Sequence, residues 1–259
     1  MEIYIIHLDI LKEIRMVVVT MTSWIKRINN VKPVIERIIN GTKLPDVVYL
    51  NLSVQEFPNR ENNLPQDLVK FIKDNPIIKI NWVEGENTKS MKKIFPILKY
   101  LEDDDIIMCI DDDMLLPYDI LESRLDDFYR YNGKFGIAGF KTHALKFIKL
   151  FDVGVTSVYS KKMLNNWEKF VDSYVIKTYH DDRTYLYIMW LNGYMNKPCS
   201  KYDGSYLLSK CDYQQNDGMF ENKIHLNDEK YDKYILPRLK KLTGKDVLQS
   251  FGYFKRNKV

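Results

Sequence analysis

Ile106-Ile107-Met108-Cys109-Ile110-Asp111-Asp112-Asp113 is an apolar, β-branched run that ends without a spacer on three carboxylates. A run of this length, bounded by acidic clusters, reads as a strand buried on both faces. The three aspartates then stand at its carboxyl end. Ligands of open α/β sheets bind beyond the carboxyl ends of the strands, and a hard divalent cation takes one or two carboxylates together with phosphate oxygens. The triplet is therefore where a metal-nucleotide is expected to dock. If the strand conformation persists through the triplet, Asp111 and Asp113 share one side and Asp112 takes the other, because side-chain direction alternates.

A second acidic cluster, Glu102-Asp103-Asp104-Asp105, precedes the same strand and so lies at its amino end. Position separates the two: the upstream cluster is expected to be a charged, solvated loop leading from a helix into the strand.

Working outward, Val17-Val18-Val19-Thr20 is a β-branched strand, followed by a polar loop through Arg27 and a helical pattern from Val31 to Ile39 that stops at Asn40-Gly41. Val47 to Leu52 and Ile77 to Val83 read as further strands, with a helix from Gln66 to Lys73 between them. Residues Ser90 to Leu101 carry apolar side chains at helical spacing. Strands alternating with helices imply right-handed crossovers and a mostly parallel central sheet flanked by helices, an α/β fold. Beyond the triplet, a helix is expected from Pro117 to Tyr131, a strand over Phe135 to Phe140, extended chain from Val153 to Tyr159 and a helix from Asp182 to Leu191. No repeat, low-complexity tract or long linker interrupts the chain, which reads as a single domain: about 16–113 as a nucleotide-binding half and about 114–259 as the half that completes a pocket.

Composition narrows the function. The 259 residues are 45% hydrophobic, enough for a sizeable core. A net charge of +4 with 29% charged residues gives no concentrated basic stripe, so nucleic acid is not an expected partner. Cys109, Cys199 and Cys211 lack the paired spacing of zinc sites and read as reduced thiols of a cytoplasmic protein. No stretch approaches the ~18 apolar residues that span a bilayer. Met1 to Asp9 carries acids where a secretory signal carries lysines. The segment up to Arg15 reads as an extra strand or helix, or as an extension upstream of a start at Met16.

His180-Asp181-Asp182 precedes the apolar helical stretch Tyr185 to Leu191. Aspartates there cap the helix and favour its dipole. A carboxylate about seventy residues after a metal-binding one, in a nucleotide-binding domain, is also suited to deprotonate an acceptor hydroxyl. One aspartate can cap while the other faces the cleft.

The ordered set Val17 to Thr20, Thr22-Ser23-Trp24-Ile25-Lys26-Arg27-Ile28, Tyr49-Leu50-Asn51-Leu52-Ser53, Lys93-Ile94-Phe95-Pro96, Asp111-Asp112-Asp113, Gly154 to Tyr159 and Asp181-Asp182 resembles bacterial glycosyltransferases of the GT-A fold. It is most similar to the family-2-like enzymes that build surface polysaccharide such as lipopolysaccharide and capsule. The match runs from about Met16 to Gly193 and weakens after it.

This resemblance implies a nucleotide-sugar donor, expected to be a UDP-sugar, a Mn2+ or Mg2+ ion, and inverting transfer to the hydroxyl of a glycan or lipid-linked glycan. Asp113 would ligate the metal, with Asp111 near the ribose or a metal-bound water and Asp112 also at the nucleotide. Thr20, Thr22 and Arg27 would line the nucleotide pocket with Asn51, and Lys93 would approach the nucleoside or phosphate. The family's motif before the acceptor helix is Glu-Asp where this chain has Asp181-Asp182. By position Asp182 would be the base, and the two could exchange roles. His225 stands where some relatives have a C-terminal metal ligand.

From Ile235 onward, Arg238, Lys240, Lys241, Lys245, Lys255, Arg256 and Lys258 interleave with leucines and aromatics. That end reads as a solvated helix packed through its leucines, or as a peripheral contact with an anionic membrane surface. Two other functions share the nucleotide-sheet pattern. A sugar nucleotidyltransferase is expected to carry a glycine-rich loop after the first strand, where this chain has Met21-Thr22-Ser23-Trp24. A non-catalytic nucleotide- or sugar-binding subunit would keep the fold without turnover.

Overall fold

The computed structural model describes residues 15–139, 154–172, 175, 181–202 and 228–244. Strands β1 (Val17–Thr22), β2 (Val47–Ser53), β3 (Ile78–Val83), β4 (Ile106–Cys109), β5 (Phe135–Ala138), β6 (Val158–Ser160) and β7 (Met195–Pro198) form one sheet in the order β3-β2-β1-β4-β6-β5-β7. The first four pair in parallel, as does β5 with β7, while β6 runs antiparallel between β4 and β5. The sheet is thus mostly parallel, and its one reversed strand separates the two halves of the chain. Strand β4 is wholly buried, as its apolar run requires.

Helix α1 (Val31–Ile39) buries Val31, Val34, Ile35 and Ile38, one face of a 3.6-residue period. It ends at Asn40, and Gly41 follows because a Cβ there would lie 2.5 Å from the Tyr118 carbonyl. Close approach of another backbone, not a left-handed turn, calls for the glycine. Helices α2 (Gln66–Asp74), α3 (Ile120–Arg130), α4 (Asp181–Leu191) and α5 (Asp228–Thr243) complete the helical layers. Ile235 and Leu239 of α5 are buried in the core while Lys240 and Lys241 are exposed. This is the packed, solvated helix of the sequence reading; residues 245–259 lie outside the described residues.

Three stretches differ from the sequence reading. Ser90 to Leu101 is not one α-helix but two 3-10 segments, Lys89–Lys93 and Phe95–Tyr100. Pro96 has no N–H for an α-helical bond and disfavours helical geometry before it, so the chain breaks at Ile94. Helix α3 starts three residues after Pro117, with Asp119 at its N-cap position but without a side-chain capping bond. Of the stretch Val153 to Tyr159, the described residues 154–159 are extended only from Val158; Thr156 has φ +65°, an unusual value for a β-branched residue. The buried Arg124 holds that turn, its Nε and Nη2 donating to Thr156 Oγ1 at 3.1 and 3.0 Å while Nη1 and Nη2 each reach a carbonyl, of Lys201 and Tyr202, at 2.7 Å. Gly139 passes so close that a Cβ would sit 1.9 Å from the Val155 oxygen.

The upstream acidic cluster does lie at the amino end of β4, but it is a brace rather than a solvated loop. Asp105 is 4% exposed. Its carboxylate accepts the backbone N–H groups of Met16 and Glu102 at 2.9 and 2.8 Å, fixing the entry to β1. Asp103 and Asp104 pair with Lys161 and Lys162 at 2.7 and 2.5 Å, and the bonds from Lys161 and Asn165 hold the Asp103 pKa below its usual value. Asp105→Ala is expected to lower unfolding free energy by roughly 2–3 kcal/mol, since it orphans buried donors bonded to a charged group. Asp103→Ala, at exposed pairs, should cost under about 1 kcal/mol. Urea midpoints of the two variants check the contrast.

Candidate active site

The site forms where β1 and β4 end side by side. After β1 the chain turns, with the Arg27 N–H donating to the Trp24 carbonyl at 2.9 Å, and this turn brings Arg27 back over the triplet. The Arg27 guanidinium pairs with Asp112 and, at 2.9 Å, with Asp113. Ser23 Oγ donates to Asp112 Oδ2 at 2.6 Å. The triplet lies past the end of β4, with Asp112 and Asp113 in a turn, and Asp112 points toward the loop after β1 and is only 5% exposed. Burial pushes its pKa up to about 6 against the opposing pull of Arg27 and Ser23. Its place is beneath the loop after β1, against Ser23 and Arg27.

Lys93 is the other cation. Its Nζ lies 2.5 Å from Asp111 Oδ1 and 2.9 Å from Asp181 Oδ2, so one ammonium joins the loop after β4 to the first turn of α4. Burial opposes its charge, yet Asp111, Asp181 and Asp182 together outweigh burial and hold its pKa well above the ordinary lysine value. Arg27 behaves alike: burial opposes, and Asp112, Asp113 and Asp111 prevail to raise it. Neighbouring Lys92 is different. It is buried against Asn87 Oδ1 at 2.6 Å, with Glu56 at 3.5 Å, and burial lowers its pKa.

Thr20 and Asn51 set the position of Lys93. Both are fully buried. The Thr20 hydroxyl donates to the Lys93 carbonyl, and Asn51 Nδ2 lies 2.9 Å from Thr20 Oγ1, 3.0 Å from the Met21 carbonyl and 3.2 Å from that of Lys93. Asn81 donates in turn to Asn51 Oδ1 at 2.8 Å. Thr22 Oγ1 donates to the Asn51 carbonyl at 2.8 Å. With no exposed surface, Thr20 and Asn51 form a staple under the Lys89–Lys93 turn. On the other side, Tyr185 of α4 donates to the Met91 carbonyl at 3.4 Å, tying the turn to the helix that carries Asp181.

Arg27 with Asp112 and Asp113, and Lys93 with Asp111 and Asp181, thus make two neighbouring sets of ion pairs, and Asp182 adds its charge to Lys93. His225 and His180 lie outside the described residues. Among the described residues, no three His, Cys, Asp or Glu side chains group closely enough to hold a metal ion alone. The donor chemistry nevertheless fits Mn2+ or Mg2+. Asp111 and Asp113 supply hard carboxylate oxygens two residues apart in the loop after β4, and burial and the charge of Asp111 raise the pKa of Asp113. A cation held by one or two carboxylates would complete its coordination with phosphate oxygens and water. The hub role of Lys93 and the structural role of Asp112 carry no local signal in the sequence, because both depend on partners distant in the chain.

No protein-family model and no curated protein matches the chain. Among solved structures, residues 1–349 of S. aureus TarS in complex with UDP share 10% identity, covering 92% of this chain and 75% of that one, with a TM-score of 0.52. The Francisella tularensis 2-C-methyl-D-erythritol 4-phosphate cytidylyltransferase IspD shares 12% identity over 72% of this chain and 91% of that one, at a TM-score of 0.48. The glucosyl-3-phosphoglycerate synthase of Mycobacterium tuberculosis, solved with Mn2+, UDP and glucosyl-3-phosphoglycerate, shares 13% over 61% of each chain, at 0.43. These are likenesses of fold, and the fold is the GT-A fold of nucleotide-diphospho-sugar transferases.

Removing Lys93 should leave Asp111 and Asp181 facing one another without a counter-charge. Lys93→Met is expected to cost about 3–5 kcal/mol, the usual penalty for breaking a buried pair from one side. Lys93→Met combined with Asp181→Asn should recover part of that loss, giving a coupling energy of about 0.5–3 kcal/mol in a double-mutant cycle measured by chemical denaturation.

Proposed function

We propose that the chain is a metal-dependent glycosyltransferase that moves a sugar, with inversion, from a UDP-sugar to an acceptor hydroxyl in bacterial surface-glycan synthesis. The observation that carries this reading is the meeting of two acidic motifs on one lysine: Asp111, from the triplet, and Asp181, from the start of α4, lie 2.5 and 2.9 Å from Lys93 Nζ. A fold shared with a UDP-bound structure supports the choice of nucleotide.

Each residue then has a task. Asp113 and Asp111 hold the cation. Arg27 and Lys93, paired to those carboxylates, are the cations that would flank the donor's diphosphate. Asp112 holds Ser23 and Arg27 in place under the loop after β1. Thr22, the last residue of β1, adds a hydroxyl beside that loop. Asp181 is 7% exposed and engaged by Lys93, whereas its neighbour Asp182 is less deeply buried. That division leaves Asp182 to accept the acceptor's proton, with Asp181 holding the geometry. When bound, the divalent ion stabilises the departing diphosphate as a Lewis acid. The acceptor is a glycan or lipid-linked glycan.

Slow hydrolysis of UDP-hexoses in the absence of acceptor tests the reading, since water then takes the acceptor's place. Manganese-dependent release of UDP is expected from the wild type and none from Asp113→Ala. Asp182→Asn should still bind UDP with manganese but lose transfer by about 100- to 10,000-fold, the range for removal of a general base. Equal loss of UDP affinity in both variants would overturn the division of roles.

A further inference from the structure

A groove of about 520 Å3 lies beside the Phe95–Tyr100 turn, walled on one side by the end of β3 and on the other by residues 165–168. The volume is in the range of ligand pockets, roughly 300–1,000 Å3. Its aromatic surface is Phe95, Trp82 and Trp167, and Asn81, Asn165 and Asn166 supply amides around it.

These groups are held in place. The Trp167 ring is stacked on Phe95 with centroids 4.3 Å apart and an interplanar angle of 3°, and Phe95 meets Tyr185 of α4 edge-on at 5.1 Å. The Trp82 indole N–H donates to Glu61 Oε1 at 3.1 Å. Asn192 donates to the Asn165 carbonyl at 2.8 Å, and Asn166 follows in the left-handed region at φ +58°. Trp82 and Trp167 are only partly buried, so each keeps ring surface toward solvent.

Charge selects the occupant. Lys99 and Lys161 are matched by Glu84 and Glu168 in the lining. Lys161 is paired to Asp103 at 2.7 Å and Glu84 to Arg60 at 2.7 Å. A phosphate, an acidic polymer or a nucleic acid would meet no net positive field. Flat indoles ringed by amides suit a molecule with an apolar face and a rim of hydroxyls, which is the surface a neutral pyranose ring presents. The groove also adjoins the site. Phe95 follows Lys93 by two residues, and Asn81 in the groove wall is joined to the Lys93 carbonyl through Asn51.

We propose that this groove binds a neutral oligosaccharide, the part of the acceptor glycan that trails behind its reacting end. The acceptor role rests on the glycosyltransferase reading; the binding does not. The wild-type protein would be screened on an array of neutral, acidic and phosphorylated oligosaccharides, and the strongest neutral hit carried into calorimetry. Trp167→Ala is expected to weaken that hit about tenfold or more. Asn166→Gly, which keeps the left-handed turn and removes only the amide, should weaken it several-fold, and it decides the matter if Trp167→Ala does not fold. Both variants should bind UDP with manganese as the wild type does, and Asp113→Ala should bind the glycan normally. Glycan binding lost in the groove variants stands as support even if the wild type ignores UDP, a result that would sink the glycosyltransferase reading alone. No neutral glycan bound, a preference for acidic or phosphorylated ones, or binding indifferent to both groove variants would overturn the proposal.

Discussion

The ammonium of Lys93, placed between Asp111 and Asp181, is the contact on which the rest of the site depends. Carboxylates brought together in a buried cleft repel one another and lose their hydration, and only a nearby cation makes the arrangement stable. Here that cation is covalently part of the fold. It links the strand that presents the triplet to the helix that presents the second acidic motif, although the two motifs are far apart in sequence. A bound divalent ion and a diphosphate would bring competing charges to the same carboxylates. Lys93 and Arg27 are thus counter-ions that can exchange a carboxylate for a phosphate partner while the site keeps its charge balance.

The packing below explains why the lysine can be held so firmly. β1 and β4 are adjacent and parallel, so their carboxyl ends open on the same edge of the sheet. The Lys89–Lys93 turn crosses that edge with its last carbonyl fixed by Thr20 and Asn51. Hydrogen bonds made in a fully buried setting are costly to leave unmade, which favours one backbone path for the turn. At the opposite end of the same strands, Asp105 and Asp46 accept the backbone N–H groups of Met16 and Val17 and fix where β1 begins. Acidic residues thus bracket the central strands, as structural anchors at the amino ends and as a charged site at the carboxyl ends.

Much of this was legible before any coordinates. The apolar run from Ile106 could only be satisfied by burial on both faces, whereas the strand ends at Cys109 and the turn at Asp112 and Asp113 breaks the alternation expected of the triplet. The helix from Val31 and the parallel pairing of the first four strands follow from patterns that local sequence carries. The path of Ser90 to Leu101 was not legible, because apolar spacing at helical period does not reveal what Pro96 removes from the hydrogen-bond ladder. Nor could sequence show that Thr20 and Asn51, polar residues in strands, would turn inward to hold a backbone carbonyl. Asp105 looked like one of four solvated acids, and its burial depends on where the start of β1 passes. Thr156 is extended by propensity and left-handed in fact, because Arg124 and the close passage of Gly139 shape its turn. Pro96 apart, the missing information is long-range: a partner distant in the chain decides the role.

Calorimetric titration with UDP, GDP, CMP and ADP, each with and without manganese, tests the central claim most directly. The account predicts that one nucleotide, UDP, binds tightly only when manganese is present, and that saturating it stabilises the fold by about 2.7 kcal/mol at a hundredfold excess over the dissociation constant. Binding of none of the four, or binding equally strong without the metal, would contradict it and leave the triplet as a charged brace at the end of β4.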